Sequence, residues 1–286
     1  METRTIVSVA FPVAIGLVML GLGLALQVSD FTRILKAPAP VLIGLLSQVV
    51  AAPIIAFVLS KILQLPPELA IGLMILSASP SGAMANIFSR FSGGDVALGL
   101  TLTAIGTILS AVTLPLISGL AIHVFSGSSS AVDFQFAKSL EVVAVILIAV
   151  PLGMWVRVAY PKFGNALDRL LRVFSILVLA LIIVAAASKE WATLTANIGQ
   201  LGWIIALFNV ANLAVGYFLP RFLKLPRNQA ITISMGAGVH NATLSIFLAL
   251  SVLGSTAYAL PSAIYGVLMF FSAGALVPVF KRAKLT

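Results

Sequence analysis

The sequence has few charged side chains and no cysteine. Only 9% of its 286 residues are charged, 60% are hydrophobic, and the mean hydropathy is +1.15. A soluble domain carries about 25% charged residues. The lack of cysteine excludes a disulfide framework and a cysteine-ligated metal site. These absences indicate an integral membrane protein.

The charges that are present are mostly basic, with 17 Lys and Arg against 8 Asp and Glu. A net charge of +9 would fit a nucleic-acid-binding protein, but the basic residues stand at the ends of apolar segments. Long basic side chains reach from such positions to the membrane surface. We therefore expect the lipid bilayer to be the partner, with no nucleic acid. The first apolar run is too long for a signal peptide.

Nine apolar segments are long enough to cross a bilayer, which takes about 20 residues in a helix. Their lengths predict an all-α integral membrane protein whose single transporter-like domain covers residues 1–286. The predicted spans are 5–27, 38–60, 68–89, 96–124, 139–157, 167–187, 198–219, 228–252 and 257–280.

The distribution of Lys and Arg predicts the orientation, because basic residues accumulate on the cytoplasmic side. Four of them fall on one side of the nine spans and thirteen on the other. This places the N-terminus outside and the C-terminus in the cytoplasm, in a membrane such as the bacterial inner membrane. The sparse side holds Arg4, Lys61, Lys138 and Lys189, and the rich side holds Arg33, Lys36, Arg90, Arg157, Lys162, Arg169, Arg172, Arg221, Lys224, Arg227, Lys281, Arg282 and Lys284.

Two of the apolar segments are interrupted near their middle. Segment 70–91 contains Ser79-Pro80-Ser81-Gly82, and segment 230–253 contains Gly236-Ala237-Gly238 followed by Val239-His240-Asn241. Such breaks free backbone groups that lipid cannot satisfy, so they are tolerated only inside protein or beside a polar cavity. Paired breaks in two halves of a chain point to the binding site of a secondary transporter.

A short motif suggests that the two halves are repeats. Lys61-Ile62-Leu63-Gln64-Leu65-Pro66 recurs as Arg221-Phe222-Leu223-Lys224-Leu225-Pro226. The difference in residue number between Lys61 and Arg221 is called the repeat offset below. The same offset separates the first break from the second. Because Lys61 and Arg221 fall on opposite sides of the membrane, the repeat is predicted to be inverted. The first half then has one span fewer than the second.

The spans contain a set of neutral polar residues and almost no charge. Glu141 falls within a span, close to one end, while Glu68 and Asp95 stand at segment starts. Paired carboxylates or a Ser/His/Asp arrangement are missing, so we expect no enzyme activity. The amides and hydroxyls either join helices or line a site beside the breaks, where half-helix N-termini attract an organic anion. The set comprises Gln48, Ser77, Ser79, Ser81, Asn86, Thr103, Asn209, Asn212, His240, Asn241 and Thr243.

His240 has three possible roles. A histidine in a broken mid-membrane helix can carry a proton near neutral pH. It can also contact a ligand directly, or donate one hydrogen bond to a freed carbonyl. The other histidine, His123, falls at the end of a span and is expected to be interfacial.

Three stretches resemble the bile acid:sodium symporter family. Residues Ser79 to Asn86, followed by Gly94-Asp95-Val96-Ala97-Leu98 and Thr103, are similar to its P-G-G-x-x-S-N and G-D-V-A-L-S-x-x-x-T motifs. Gly238-Val239-His240-Asn241 resembles the family's E-x-G-x-Q-N, and Gln48 matches a glutamine that the family also uses.

The resemblance implies a fold of ten helices, or nine where the first is missing, in which two inverted repeats cross at their broken helices. A core domain would cover about 38–125 and 198–280, and a panel domain about 5–27 and 138–187. It also implies alternating access and sodium-coupled uptake of organic anions, by a protein that we expect to be a monomer without a cofactor. The residues then expected to bind substrate are Ser79, Ser81, Asn86, Asn209, His240, Asn241 and Thr243.

The family's sodium ligands carry over only in part. Gln48, Asn86, Thr103 and Asn241 match, with sodium itself expected at Gln48, Asn86 and Thr103, whereas Ala85 and Gly99 replace two serines. Gly236 stands in place of the family's glutamate and His240 in place of its glutamine. Losing a carboxylate weakens a site for a hard cation. Sodium coupling, proton coupling through His240 and uncoupled transport therefore remain open, with a channel or receptor less favoured. Few basic residues lie within the spans, which favours a monocarboxylate over a dianion.

Overall fold

The computed structural model of this chain describes the backbone of residues 2–127, 130–189 and 191–282, and this part is helical almost throughout. Its helices are α1 Glu2–Ala25, α2 Val28–Lys36, α3 Pro38–Leu45, α4 Ala52–Ile62, α5 Pro67–Ala78, α6 Ala83–Phe91, α7 Val96–Ser126, α8 Ser130–Ala159, α9 Pro161–Lys189, α10 Trp191–Phe222, α11 Arg227–Gly238, α12 Ala242–Phe247 and α13 Thr256–Arg282. A π-helical turn over Leu46–Ala51 joins α3 to α4, and another over Leu248–Val252 continues α12.

Several of these helices fit a bilayer. Four helical segments are long and apolar enough to cross one: Pro38–Ile62, Val96–Ser126, Leu201–Phe222 and Thr256–Arg282. Shorter apolar helices cover Gly16–Ala25, Pro67–Ala78 and Ala144–Ala159. The chain is therefore a multi-pass membrane protein, as its composition predicts. The side chains of Arg4, Lys138, Glu141 and Lys189 lie outside the described residues.

The two predicted breaks are present, but the second differs in its position. The first separates α5 from α6 and covers Ser79 to Gly82, as the sequence indicates. In the second segment the glycine cluster stays helical, because glycine tolerates helical torsion angles and α11 continues to Gly238. The interruption is Val239-His240-Asn241, so the second half-helix begins at Ala242 and not directly after Gly238.

Helix α2 is not predicted by the apolar pattern of the sequence. It has nine residues with Asp30, Arg33 and Lys36 among them. Because these charges keep its hydropathy low, a search for apolar spans passes over it. Helices α8 and α10 also begin earlier than their predicted spans, at Ser130 and Trp191, because a helix can begin before its apolar stretch does.

The repeated basic-Leu-Pro motif adopts the same conformation in both places. Gln64 and Lys224 have positive φ, at 49° and 62°. At each site the next N–H bonds five residues back, Leu65 to Ser60 and Leu225 to Pro220, which is the Schellman pattern that ends a helix. The motif therefore ends a helix in the same conformation at both places.

Helix boundaries recur at nearly the same spacing as the motif. The first and last residues of α5 are separated from those of α11 by the repeat offset. The first residues of α7 and α13 are separated by the same offset. Between the starts of α6 and α12 the spacing is smaller by one. The second break is thus one residue shorter than the first.

Helices α1, α8 and α9 pack against one another, while α5 packs on α7 and α13, and α10 packs on α11. Glycines allow the closest approach within the first group. A side chain on Gly23 of α1 would collide with the carbonyl oxygen of Val150, and one on Gly153 of α8 with that of Leu20. Neither helix can admit a larger residue there without moving.

The α1–α8–α9 group touches the two broken helices unequally. It packs against α12 and the π-helical turn that follows, whereas α6 packs mainly on α7, α11 and α13. The first residues of the two half-helices reflect this difference. Ala83 of α6 is exposed, but Ala242 of α12 is only 1% exposed.

We predict that Gly23→Ala destabilises the protein while Gly16→Ala, in the same helix, does not. A methyl group on Gly23 meets backbone atoms that cannot rotate away, whereas one on Gly16 has no heavy atom within 4 Å. Overpacking of this kind costs about 1–3 kcal/mol. Thermal unfolding in detergent should show a lower Tm for Gly23→Ala alone. Equal transitions for the two variants would contradict the close packing of α1 and α8.

Candidate functional site

The two breaks cross and bind each other through their backbones. The N–H of Gly82 donates to the carbonyl of Val239, and the N–H of Asn241 donates to the carbonyl of Pro80, both at 2.8 Å. Ser81 and His240 thereby form an antiparallel bridge. These bonds satisfy backbone groups that neither broken helix can satisfy internally. They also bring side chains from both halves of the chain to one place.

One set of predicted residues forms a cluster of neutral oxygens on the first break. The hydroxyls of Ser81 and Thr103 lie 3.0 Å apart, and the side-chain amide of Asn86 donates to Thr103 Oγ1 at 3.2 Å. Ser81 and Thr103 are buried, while Asn86 is half-buried. Gly99 leaves room beside Asn86 Oδ1, since a Cβ there would collide with this oxygen. The hydroxyl and amide oxygens are suitable ligands for a hard cation.

Gln48 lies beside this cluster in the π-helical turn over Leu46–Ala51. It is 3% exposed, and neither of its amide atoms has a hydrogen-bond partner among the described residues. A Cβ on Gly236 would lie 2.7 Å from Gln48 Nε2 and 3.9 Å from the Ser81 Cβ. An unsatisfied buried amide costs about 1–3 kcal/mol, and π-helical turns occur often at functional sites. The Gln48 amide therefore packs closely against Gly236, next to Ser81 of the oxygen cluster.

His240 occupies the second break and is fully buried. Its Nδ1 lies 3.0 Å from the carbonyl oxygen of Ser79. A carbonyl can only accept, so Nδ1 carries the hydrogen, and in the neutral ring Nε2 has a free lone pair. Nε2 has no hydrogen-bond partner in the described part of the chain. The ring stacks on Phe208, which stands at the repeat offset from Gln48, with a centroid distance of 6.0 Å.

Tyr265 and Asn209 fix the end of α11 next to His240. The Tyr265 hydroxyl donates to the carbonyl of Gly238 at 2.7 Å, and the Asn209 amide donates to the same oxygen at 2.8 Å. The Tyr265 ring lies 5.6 Å from the His240 ring. Tyr265 was not among the residues predicted from the sequence. A hydroxyl in the middle of an apolar span was the feature that could have indicated it. Asn209, predicted to bind substrate, instead makes helix-to-helix hydrogen bonds here.

Other predicted residues have local hydrogen bonds. The hydroxyls of Ser77 and Ser79 donate to carbonyls three residues earlier, and Asn212 donates to the carbonyl of Phe208. Asn241 Oδ1 accepts from the N–H of Leu244, so one of the α12 N–H groups expected to face an anion is already capped. Thr243 is nearly buried, with 7% of its surface exposed.

Acidic side chains do not contribute to the crossing in the described residues. Asp30 and Glu68 lie in the first turns of their helices, and Asp95 caps the start of α7 by accepting from the N–H of Leu98. The same residues contain no group of three or more His, Cys, Asp or Glu that could hold a metal ion. In the described residues the site is thus made of neutral groups from two broken helices.

Comparison with known proteins identifies the family. The profile of the Sodium Bile acid symporter family matches residues 12–197, which is more than half of the chain. The chain therefore belongs to this family, as the motifs around Asn86 and Asp95 predict.

Curated relatives carry transporter names. The chain is 29% identical over 96% of its length to "Probable sodium/metabolite cotransporter BASS2, chloroplastic" of Oryza sativa subsp. japonica, of which it spans 64%. It is 26% identical over 92% of its length to "Uncharacterized sodium-dependent transporter YocS" of Bacillus subtilis, of which it spans 80%. It is 31% identical over 78% of its length to the human P3 protein, of which it spans 47%. The chain thus spans less than two thirds of the rice and human relatives.

We predict that Tyr265→Phe lowers the stability of the protein by about 1–2 kcal/mol, because loss of a buried hydrogen bond has a cost of this size. The change removes the hydroxyl that bonds Gly238 and Asn209 but keeps the ring against His240. Thermal unfolding in detergent measures the effect. The control is Tyr217→Phe, since Tyr217 is half-buried and stacks on Phe280 away from the crossing. If both variants unfold at the wild-type temperature, Tyr265 does not hold the end of α11.

Proposed function

We propose that this chain is a secondary transporter that moves small organic anions together with sodium by alternating access. The observation that carries the proposal is the crossing of the two breaks, where the unsatisfied Gln48 amide adjoins the neutral oxygen cluster. Binding sites of secondary transporters lie at such crossings near the middle of the membrane. The sodium-dependent names of the rice and Bacillus relatives support the same proposal.

The proposed architecture has nine spans in two inverted repeats, with a core and a panel, and acts as a monomer. The recurring helix boundaries and the paired Schellman caps support the repeat. One contact at each end of the helices supports the predicted orientation. The Lys61 ammonium lies 4.8 Å from the Phe125 ring at one end, and the N–H of Asp95 donates to the carbonyl of Asn228 at the other. We place the latter end, with the C-terminus, in the cytoplasm of a bacterial-type inner membrane.

The coupling sodium ion would bind to Ser81, Asn86 and Thr103, with Gln48 adjacent. These groups offer hydroxyl and amide oxygens, which hard cations prefer. The substrate would lie at the crossing, close to Gln48 and the half-buried Asn241. Every described Lys and Arg with a classified side chain is at least partly exposed and lies towards a helix end. A site without a basic group favours a monocarboxylate over a dianion.

Alternating access would be a movement of the α1–α8–α9 group against the other helices. In this structure that group covers α12, while the start of α6 is exposed at Ala83. In the proposed orientation α6 leads to the cytoplasmic end. The structure then corresponds to a state that is open inward and closed outward.

Proton coupling through His240 is a second candidate. Its Nδ1–H is held by the carbonyl of Ser79, and its Nε2 has no hydrogen-bond partner among the described residues. A proton arriving at the site would bind to this nitrogen. Sodium would then be unnecessary, and transport would follow a pH gradient.

We predict that an inward sodium gradient drives accumulation of labelled small organic monocarboxylates in proteoliposomes. Thr103→Val and Asn86→Ala should lower the initial rate at least tenfold, because each removes an oxygen from the proposed cation site. Thr107→Val is the matched control, since Thr107 lies one turn further along α7 and its hydroxyl donates to the Thr103 carbonyl.

The same vesicles decide between the coupling mechanisms. Uptake that does not depend on sodium but follows a pH gradient, and that is lost in His240→Gln, would show that the coupling ion is a proton and not sodium. Uptake that responds to neither gradient would make the protein an uncoupled facilitator. Equal uptake rates for Thr103→Val, Thr107→Val and wild type under a sodium gradient would contradict the proposed cation site.

We predict a one-sided accessibility of the two half-helices in the absence of substrate. Ala83→Cys and Ala242→Cys are a matched pair, since each introduces a thiol at the first residue of a half-helix. The natural sequence has no cysteine, so no background thiol reacts. A membrane-impermeant maleimide on the cytoplasmic side of inside-out vesicles should label Ala83→Cys at least tenfold faster. Faster labelling of Ala242→Cys would contradict the inward-open assignment.

A further inference from the structure

Helix α2 is too short to cross a bilayer. Its nine residues extend for about 13 Å, whereas a spanning helix needs about 20 residues. It joins α1, which ends at Ala25, to α3, which begins at Pro38, and it packs mainly on α7. The helix therefore belongs to one end of the bundle, outside the membrane-spanning segments.

The outer surface of α2 has an apolar edge beside a polar one. Val28 and Leu35 are seven residues apart, so they share a helix face, and they are 64% and 84% exposed. Ser29 and Lys36 share the adjacent face by the same spacing, and both are exposed. Such a helix is stable where apolar side chains reach the acyl chains and polar ones reach the headgroups. The pattern is typical of a helix that lies in the membrane interface.

The opposite side of α2 is attached to the protein. Asp30, the one acidic residue of this helix, is only 8% exposed. Its Oδ2 accepts from the N–H of Gln27 at 2.7 Å, which is the backward bond of a capping box. Phe31 packs against the main hydrophobic core. Because the acid is turned inward, Lys36 is the described charge on the outer side of α2.

Exposed aromatic residues near the start of α2 indicate the level of the headgroups. Arg157 Nη1 donates to the carbonyl of Leu24, in the last turn of α1, at 2.6 Å. Trp155 and Tyr160 are close to Arg157 in the chain, both are exposed, and their ring centroids lie 6.0 Å apart. Exposed Trp and Tyr concentrate where a membrane protein meets the headgroups. This places the start of α2 at the same predicted level.

We propose that α2 is a binding surface for anionic phospholipids, with Val28 and Leu35 against the acyl chains and Lys36 on the phosphate. One basic residue near an anionic membrane surface strengthens binding about fivefold. In the predicted orientation α2 lies at the cytoplasmic end, and the cytoplasmic leaflet carries anionic lipid. The bound lipid would contact the connection between the α1–α8–α9 group and α3. The inference goes beyond the proposed function and does not depend on it.

The first test compares the two edges of α2 by fluorescence quenching in the full chain. Leu35→Cys and Ser29→Cys are a matched pair, because both positions are exposed and the natural sequence has no cysteine. Each thiol is labelled with the fluorophore NBD before reconstitution into phosphatidylcholine vesicles. Lipid with a nitroxide on its acyl chain should quench the Leu35 label at least twofold more strongly than the Ser29 label. Iodide in the water should show the reverse order.

The second test compares headgroups. The same nitroxide is carried in turn by phosphatidylglycerol and by phosphatidylcholine, at equal low fractions. The anionic lipid should quench the Leu35 label more strongly, and the difference should disappear at about 1 M salt, where screening is short-ranged. Lys36→Gln in the labelled Leu35→Cys chain should reduce the difference. Lys281→Gln should not, since Lys281 is an exposed basic residue in the last turn of α13.

Three results would overturn the inference. Equal quenching of both labels by the nitroxide lipid and by iodide would show that α2 stands in water. Equal quenching of the Leu35 label by the two headgroups would leave an apolar membrane contact without selectivity for anionic lipid. Protection of the Leu35 label from both quenchers would show that protein, such as a second copy of the chain, covers this surface. These results are independent of sodium-driven uptake, which tests the proposed function separately.

Discussion

The two hydrogen bonds between the breaks are the interaction on which the rest of the structure depends. A helix interrupted inside a bilayer exposes N–H and C=O groups that cost several kcal/mol each if they stay unpaired. Here Gly82 and Asn241 donate to Val239 and Pro80, so each break satisfies the other. Each break is therefore stabilised by its partner, and the pairing brings Ser81 and His240 together.

Neutrality is the second constraint, and it follows from the composition. The charges of a membrane helix bundle are placed at its ends, where water solvates them. The interior then has only hydroxyls, amides and one imidazole with which to recognise an ion. The site at Ser81, Asn86 and Gln48 is therefore neutral because the chain has few charged residues, 9% in all.

Much of this arrangement could be predicted from the sequence. Pro80 and the residues around His240 marked both breaks. The resemblance to the family's motifs assigned Asn86 and Thr103 to one site, and their side chains do meet. The predicted end of α11 was wrong, because glycine permits a helix to continue as readily as to stop. Tyr265 was missed, since an aromatic residue in an apolar span gives no indication of where its hydroxyl points. The π-helical turn at Gln48 has no sequence pattern at all, because it depends on how α3 and α4 pack against their neighbours.

Gln48 and Phe208 stand at equivalent places in the proposed repeat, yet one is an unsatisfied amide and the other a ring packed against His240 and Tyr265. A carrier made of two identical halves would meet the same energy profile whether it worked forwards or backwards. In this chain one position holds a ring packed against two others, and the other holds a buried amide without a hydrogen-bond partner in the described structure. For the proposed carrier, inward and outward transport should consequently have different half-saturation concentrations, so that two gradients of equal size and opposite direction would drive unequal fluxes.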